Sequence, residues 1–400
     1  MVLKLKQIIN SCKGQYTTSG LVLAFYYALL SFDFVAITAG VSVGRIAALA
    51  TAYLLVIVGR SWRFRFETVD WLIALFSFVS LCSLFFLPAG HQDLGPYLTI
   101  ALNILILAIG RLSVFEGNDL RLWKNCLVGA ALVLGIAAIV SPGQVGTEWV
   151  SGRVVPNIAG SQQDPNEFCG YYLLPLSLFT IKMFETRKIV FALPIAFFAY
   201  TVLMTGSRGG LIAVVAAFLI ALFYAVRNDK HGVLICGIAV ILVLFIVLNF
   251  NEILSLLPRE ISSRFDLSAM GTGSAETRMN IWRQLLVVFS QSNPMQQLFG
   301  HGYGATVLSN SAHLVAHNVY IELLFDIGIV GLGSFLGMFA IAIVRASRRK
   351  DYALVAALVG EAVLLASLSS FWSKTLWGLF LLSFAIEKNG EKRVEHRITA

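Results

Sequence analysis

Charge is scarce in this chain. Asp, Glu, Lys and Arg make up 13% of its 400 residues, against about a quarter in a typical soluble domain. That shortage excludes an ordinary soluble globule, and the 58% share of apolar residues agrees. Cysteine is scarce as well: Cys12, Cys82, Cys126, Cys169 and Cys236 form no CxxC and no spacing that reads as a disulfide framework. No period of about 20 to 50 residues recurs, which excludes a solenoid. No DxD pair occurs in the chain, so a diphosphate held through a metal ion finds little support. No convincing cleavage site follows the first apolar run, which is therefore read as a retained span rather than a removed signal.

The apolar residues fall in runs of about 15 to 25, the length that crosses a hydrocarbon core as a helix. Lipid offers no partner to unpaired backbone groups, so the runs are expected to be helical. Twelve spans are predicted, near 20–37, 43–58, 71–88, 97–112, 126–141, 167–184, 189–204, 209–226, 232–249, 319–344, 352–369 and 375–386. The expected fold class is an all-α polytopic membrane protein of about twelve transmembrane helices. Residues 1–400 form one transmembrane domain, and residues 251–316 a long, partly helical loop between spans nine and ten. Cytoplasmic loops collect Lys and Arg. With the N-terminus inside, 22 of the 30 basic residues fall on one side. Both termini are then cytoplasmic, and 251–316 lies outside. The net charge of +8 reads as a topology signal, and no nucleic-acid partner is expected.

Eight basic residues remain for the outer side: Arg45, Arg153, Arg208, Arg259, Arg264, Arg278, Arg283 and Lys374. Seven are Arg, against 12 of the 22 inside. A guanidinium is a planar, permanently charged fork that suits phosphate oxygens. Arg208 lies in TGSRGGL, where flanking glycines would let backbone approach a ligand and the next helix would present its first amides to an anion. Arg278 lies in ETRMNIW and shares a helical face with Trp282. Arg153 and Arg283 are further candidates for support. The bland alternatives stay open: a tight turn whose Arg208 snorkels to headgroups, and loop arginines paired with Asp164, Glu167, Glu260 or Glu276.

Three other motifs carry chemistry. DPNEFCGYYLLPL opens the sixth span, with Asp164 placed to cap the helix and Pro165 at its first position. A sugar-binding role for Asp164, Asn166 or Tyr171 is the competing reading. HLVAH spaces His313 and His317 as i, i+4, but no Glu follows the first His and no third ligand is evident, so no metal is expected. HNVYIELLFDIGIVGLGSFLG begins with His317 at the edge of the tenth span. A neutral imidazole there can take a proton at physiological pH; a helix-capping histidine is the alternative. Glu322 and Asp326 are costly in lipid and should face the bundle or a wet cavity, with Glu322 a candidate to orient the imidazole. Two guanidinium groups and a base on one side suggest sugar transfer from a lipid diphosphate, the arginines stabilising the leaving group.

These motifs, in this order, resemble the O-antigen ligase and O-antigen polymerase family of bacterial envelope glycosyltransferases. His317-Asn318 followed by Gly328-x-x-Gly331 resembles its histidine motif, with Leu332 a departure from the usual Thr or Val. TGSRGG resembles its first arginine motif, and ETRMNIW with LFGHGYG resembles the stretch leading to its second. The resemblance implies a GT-C-like membrane enzyme that needs no metal or other cofactor. The implied donor is an undecaprenyl diphosphate-linked glycan, and the site lies on the outer face of the bacterial cytoplasmic membrane. It implies donor diphosphate binding by Arg208 and Arg278 and a base role for His317. Further implied partners are an acceptor glycolipid, membrane lipids and a chain-length regulator. DPNEF and SFWSKTLWGL look more like the polysaccharide polymerase branch than the ligase branch, which transfers to lipid A core. A transporter or flippase of an anionic lipid-linked sugar is the reading from another class. Asp33 and Glu361 would be its intramembrane acids, although no inverted repeat or pair of broken helices accompanies them.

Overall fold

The structure is a computed structural model that describes residues 15–38, 40–58, 66–83, 86, 94–145, 153–227, 258–265 and 274–387, with scattered positions between 232 and 256. Its main helices are α1 (Thr18–Leu29), α2 (Val43–Val58), α3 (Thr68–Ser83), α4 (Leu94–Leu112), α5 (Gly117–Val140), α6 (Pro165–Thr186), α7 (Ala192–Met204) and α8 (Arg208–Val226). After residue 258 come α9 (Arg259–Ser262), α10 (Ser274–Gln291), α11 (Pro294–Phe299), α12 (Ala305–Leu308), α13 (Val319–Arg348), α14 (Tyr352–Leu365) and α15 (Lys374–Phe384). Eleven predicted spans fall on these helices; the ninth, 232–249, lies largely outside the described residues. The helices α5, α8 and α13 are long and apolar enough to cross a membrane, and seven other apolar helical segments are 10–17 residues long. These helices agree with an all-α membrane protein.

The first predicted span ends early. Helix stops near Phe32, and Ala36–Thr38 pairs antiparallel with Val41–Ser42 as a short hairpin. Just past this stop, the Asp33 carboxylate meets the Lys374 ammonium. Gly40, at φ 78°, supplies the left-handed turn. A second small sheet, Pro142–Val145 against Arg153–Ile158 and then Ser161–Gln162, closes the connection that leads into α6.

At the centre α14 packs on α8 and α6, and α6 on α8. Small residues permit this: a Cβ on Gly360 would lie 2.9 Å from Ala217 Cβ and 3.1 Å from Ala213 O. Close backbone approach at small side chains is how helices gain packing in lipid. Helix α13 packs along α3 and bends at Gly328, which has φ 71° and ψ −174° inside the helix. A Cβ there would collide with the Leu298 carbonyl, and one on Gly300 with the Asp326 carbonyl. The bend therefore exists to let the 298–304 turn lie against α13. His301 N–H donates to Phe325 O at 2.9 Å and Gly302 N–H to Asp326 O at 3.0 Å. At the other end of the bundle, Arg111 pairs with Asp70 at 2.7 Å, and Arg345 reaches Glu67.

Candidate active site: an arginine cluster around His317

Helix α6 starts as its sequence predicts. Asp164 is the N-cap, its Oδ1 accepting from Asn166 N–H at 2.7 Å and Glu167 N–H at 3.1 Å, and Pro165 follows at the first position. Helix α8 starts beside it. Ser207 is that N-cap, accepting from Gly210 N–H at 3.0 Å and donating to Asn166 Oδ1 at 2.6 Å. One hydrogen bond thus locks the two helix starts together and places Arg208 next to the Asp164 turn. The glycines around Arg208 have a different purpose from the ligand approach expected of them. A Cβ on Gly209 would collide with Ser367, and one on Gly210 with Cys169, so both serve helix packing. Gly206, at φ 60°, makes the turn.

Two more arginines flank that turn. A Cβ on Gly206 would lie 3.4 Å from Arg264 Cγ and 3.8 Å from Arg153 Cγ. Arg153 Nε donates to Thr205 O at 2.8 Å, and Arg208 Nε donates to Arg264 O. Arg278 arrives on α10 and is fixed by its helical neighbour: Trp282 Nε1 donates to Ala316 O at 2.7 Å. The face shared by Arg278 and Trp282 therefore meets the chain one residue before His317.

His317 itself is held by its backbone. Its N–H donates to Ser369 Oγ at 2.8 Å, and the Ser369 hydroxyl donates to Glu322. Glu322 also accepts from Ala316 N–H at 2.8 Å. Residue 316 is thus gripped at both its amide and its carbonyl. His317 adopts φ 50°, the left-handed region that non-glycine residues seldom occupy without such constraint. Capping does not explain the histidine. Asn318 is the N-cap of α13, accepting from Tyr320 N–H at 3.0 Å and Ile321 N–H at 3.2 Å. Glu322 orients the segment that carries the imidazole rather than the ring.

The electrostatics tie these groups into one cluster. Burial, then Arg278 and Arg153, push the His317 imidazole down to about 4, against an opposing pull from Asp164. Burial and the nearby Arg264 and Arg278 bring Arg153 down to about 10, still a cation at neutral pH. Arg264 is lowered by burial and then by Arg208; Arg278 is lowered by burial and then by Arg264 and Arg208, with Asp164 opposing. Asp164 is the carboxylate that acts on Arg153, Arg278 and His317, while Arg208 acts on Arg264 and Arg278. Among the described residues none of these four arginines makes a salt bridge. Asp164, Glu167 and Glu276 form no salt bridge with these arginines, and the Glu260 side chain lies outside the described residues.

Other candidates lie apart. Arg283 is exposed on α10 and reaches Asn280 Oδ1 at 3.4 Å. Tyr171 is buried and donates to Leu30 O at 3.1 Å. HLVAH is not helical, so His313 and His317 share no helix face; His313 Nδ1 donates to Val307 O at 3.3 Å. Among the described residues no three His, Cys, Asp or Glu side chains gather as a metal site. Asp326 accepts from Gly304 N–H and Thr306 N–H, both at 2.9 Å, and from Thr306 Oγ1 at 2.7 Å, so it fastens the turn before α12. Of the two acids that a transporter would use, Asp33 is engaged by Lys374, while Glu361 is buried with Oε2 unpartnered among the described residues. The residue that sequence reasoning undervalued is Arg264. Its local sequence carries no motif, and only the folded turn at Gly206 brings it to Arg208.

No curated protein matches the chain. A family model described as O-antigen ligase matches residues 193–336, about a third of the chain. That region contains Arg208, Arg264, Arg278, His317 and the bend at Gly328, and over it the chain is similar to the O-antigen ligase family.

Proposed function

We propose that the chain is a membrane glycosyltransferase that moves a glycan from undecaprenyl diphosphate to a sugar hydroxyl on the outer face of the cytoplasmic membrane. The carrying observation is the linked cluster of Arg153, Arg208, Arg264 and Arg278, in which Arg278 and Arg153 act on the neutral His317 and Asp164 opposes them. So much unbalanced positive charge, half-buried, suits a diphosphate.

In the reaction the acceptor oxygen attacks the anomeric carbon and the bond from that carbon to the phosphate oxygen breaks. The electron pair leaves with the diphosphate, and the acceptor proton passes to the His317 imidazole. The arginines stabilise charge that grows on the departing phosphate, as preorganised donors do best in a site screened from water. Burial, with Arg278 and Arg153, keeps His317 neutral and ready to accept a proton. A diphosphate bound among them would screen their charge and strengthen the base as the donor arrives. Residues of the protein thus supply the charge that a metal would otherwise bring, and turnover is expected to survive a strong chelator. Loss in chelator with recovery in Mg²⁺ or Mn²⁺ would overturn that.

The acceptor is proposed to be a second lipid-linked repeat, making the enzyme a polysaccharide polymerase, on the likeness of DPNEF and SFWSKTLWGL to that branch. Mass spectrometry of lipid products from purified protein and an undecaprenyl diphosphate glycan tests the whole reading. Longer lipid-linked chains are expected. Transfer only to lipid A core would make it a ligase, and an unchanged glycan would reject transfer. Arg208→Ala and Arg278→Ala should each abolish the product. Arg→Lys at either position should restore little, because an ammonium cannot replace a bidentate fork.

A further inference from the structure

A second polar site lies on the far side of the Asp164 turn. It is a cavity of about 260 Å³ between the 36–42 hairpin, the start of α6 and the start of α15. Asp33, Arg45, Glu167 and Lys374 line it, with Gln163 at the turn and Trp372 and Tyr171 among the ring-bearing walls. Two acids face two bases, so the lining is formally neutral. That separates it from the arginine cluster, where cations outnumber the one carboxylate that acts on Arg153 and Arg278.

Most of the lining is already committed. Lys374 meets Asp33, Arg45 Nε donates to Thr99 Oγ1 at 3.2 Å, and Gln163 Nε2 donates to Glu167 Oε2 at 2.9 Å. One atom is not. Gln163 Oε1 is buried without a hydrogen-bond partner among the described residues, and the side chain is only 4% exposed. A buried amide oxygen left unsatisfied costs stability unless something donates to it. An uncharged polyol has hydroxyls that donate to Gln163 and the carboxylates, and others that accept from Arg45 and Lys374. Its apolar ring face suits Trp372. The volume sits just under the roughly 300–1,000 Å³ of pockets for drug-sized ligands, which fits one or two sugar rings and no long chain.

We infer that this cavity is a saccharide subsite that binds an uncharged sugar unit of one of the two reacting glycans, with Gln163 as a recognition residue. The inference rests on the proposed transfer only for which glycan supplies the ring. Gln163 and Asp164 are adjacent, so the turn that faces the arginine cluster with its carboxylate faces the cavity with its amide. The sugar and the phosphate are then held on either side of one short, capped segment.

Ligand-observed NMR on the full-length detergent-solubilised protein tests this, with glucose, galactose, N-acetylglucosamine and rhamnose as probes and inorganic pyrophosphate beside them. At least one sugar should bind, and Gln163→Leu should weaken it roughly fivefold, the scale of one lost hydrogen bond, while pyrophosphate binding is unchanged. Arg278→Ala should give the reverse pattern. Should Gln163→Leu fail to fold, as its pyrophosphate signal would report, Trp372→Leu takes its place with the same expectation. No sugar binding to the native protein, or full sugar binding by a folded variant, overturns the subsite. Sugar binding without pyrophosphate binding would instead fault the proposed donor site and leave the subsite standing. In turnover, a raised KM for the acceptor with kcat held assigns the ring to the acceptor, and a raised donor KM assigns it to the donor; neither changing overturns the inference.

Discussion

His317 stands one residue outside α13, and Asn318 does the capping. That separates structure from chemistry at a single position. Asparagine is among the few residues that tolerate the left-handed region, so His317→Asn should keep the φ 50° backbone and the Ser369 contact while removing the base. Turnover should fall by at least about two orders of magnitude, within the usual range for a general base. Affinity for undecaprenyl diphosphate should stay within a few-fold if the arginines hold it as proposed. An active His317→Asn enzyme would end the base assignment. The pH profile follows from the same surroundings. A histidine lowered to about 4 is neutral from there upward. The acid limb of kcat/KM, which reports the free enzyme, should therefore fall near pH 4 rather than near 6.5. Arg278→Ala removes a cation that lowers the imidazole, so in any residual activity that limb should move to higher pH. A limb that stays at 6.5 in the native enzyme would show that His317 is neither buried nor beside Arg278 and Arg153 as the fold has it.

Helix α13 explains why a membrane segment begins with acids. Glu322 gathers Ala316 and Ser369, and Asp326 gathers Gly304 and Thr306, so each carboxylate binds a returning loop to the helix start. The sequence shows that these acids cannot face lipid. It does not show that backbone amides rather than water would satisfy them, because the partners come from other parts of the chain. The glycines are similar. Gly209 and Gly210 read as room for a ligand, and the fold uses them as room for Ser367 and Cys169. Gly328 was legible as a motif, yet its purpose is visible only where the 298–304 turn crosses it. Gly328→Ala should be costly on two counts, a φ of 71° and a Cβ driven into the Leu298 carbonyl. Strained backbone alone is worth on the order of 1–3 kcal/mol. Thermal unfolding in detergent should show a clear drop for Gly328→Ala and little change for Gly333→Ala, where nothing lies within 4 Å of the added carbon. Equal midpoints would mean the bend is not needed for packing.

At the scale of the whole molecule, the periodic apolar runs made eleven helices readable, while the folded cluster needed contacts that no local pattern encodes. Arg264 reaches Arg208 only because Gly206 turns, and Ser369 reaches His317 only because α14 and α13 pack. Orientation rests on charge. The four clustered arginines lie at one end of the bundle, and the Arg111, Arg345 and Glu67 network ties the other. If the positive-inside rule governs this chain, that second end faces the cytoplasm and His317 faces out. The ninth span, 232–249, must then cross between Lys230 and Pro258, a stretch largely outside the described residues. Reporter fusions after Lys230 and after Pro258 should report opposite sides, the first cytoplasmic. Were both to read cytoplasmic, Arg264 and Arg278 would have to return through the membrane to reach Arg208 and His317. Helix α9 is too short for that and α10 too polar, since neither is among the apolar helices able to cross. The arginine cluster and the ninth crossing therefore stand together. Same-side reporters would dissolve the site as well as the topology.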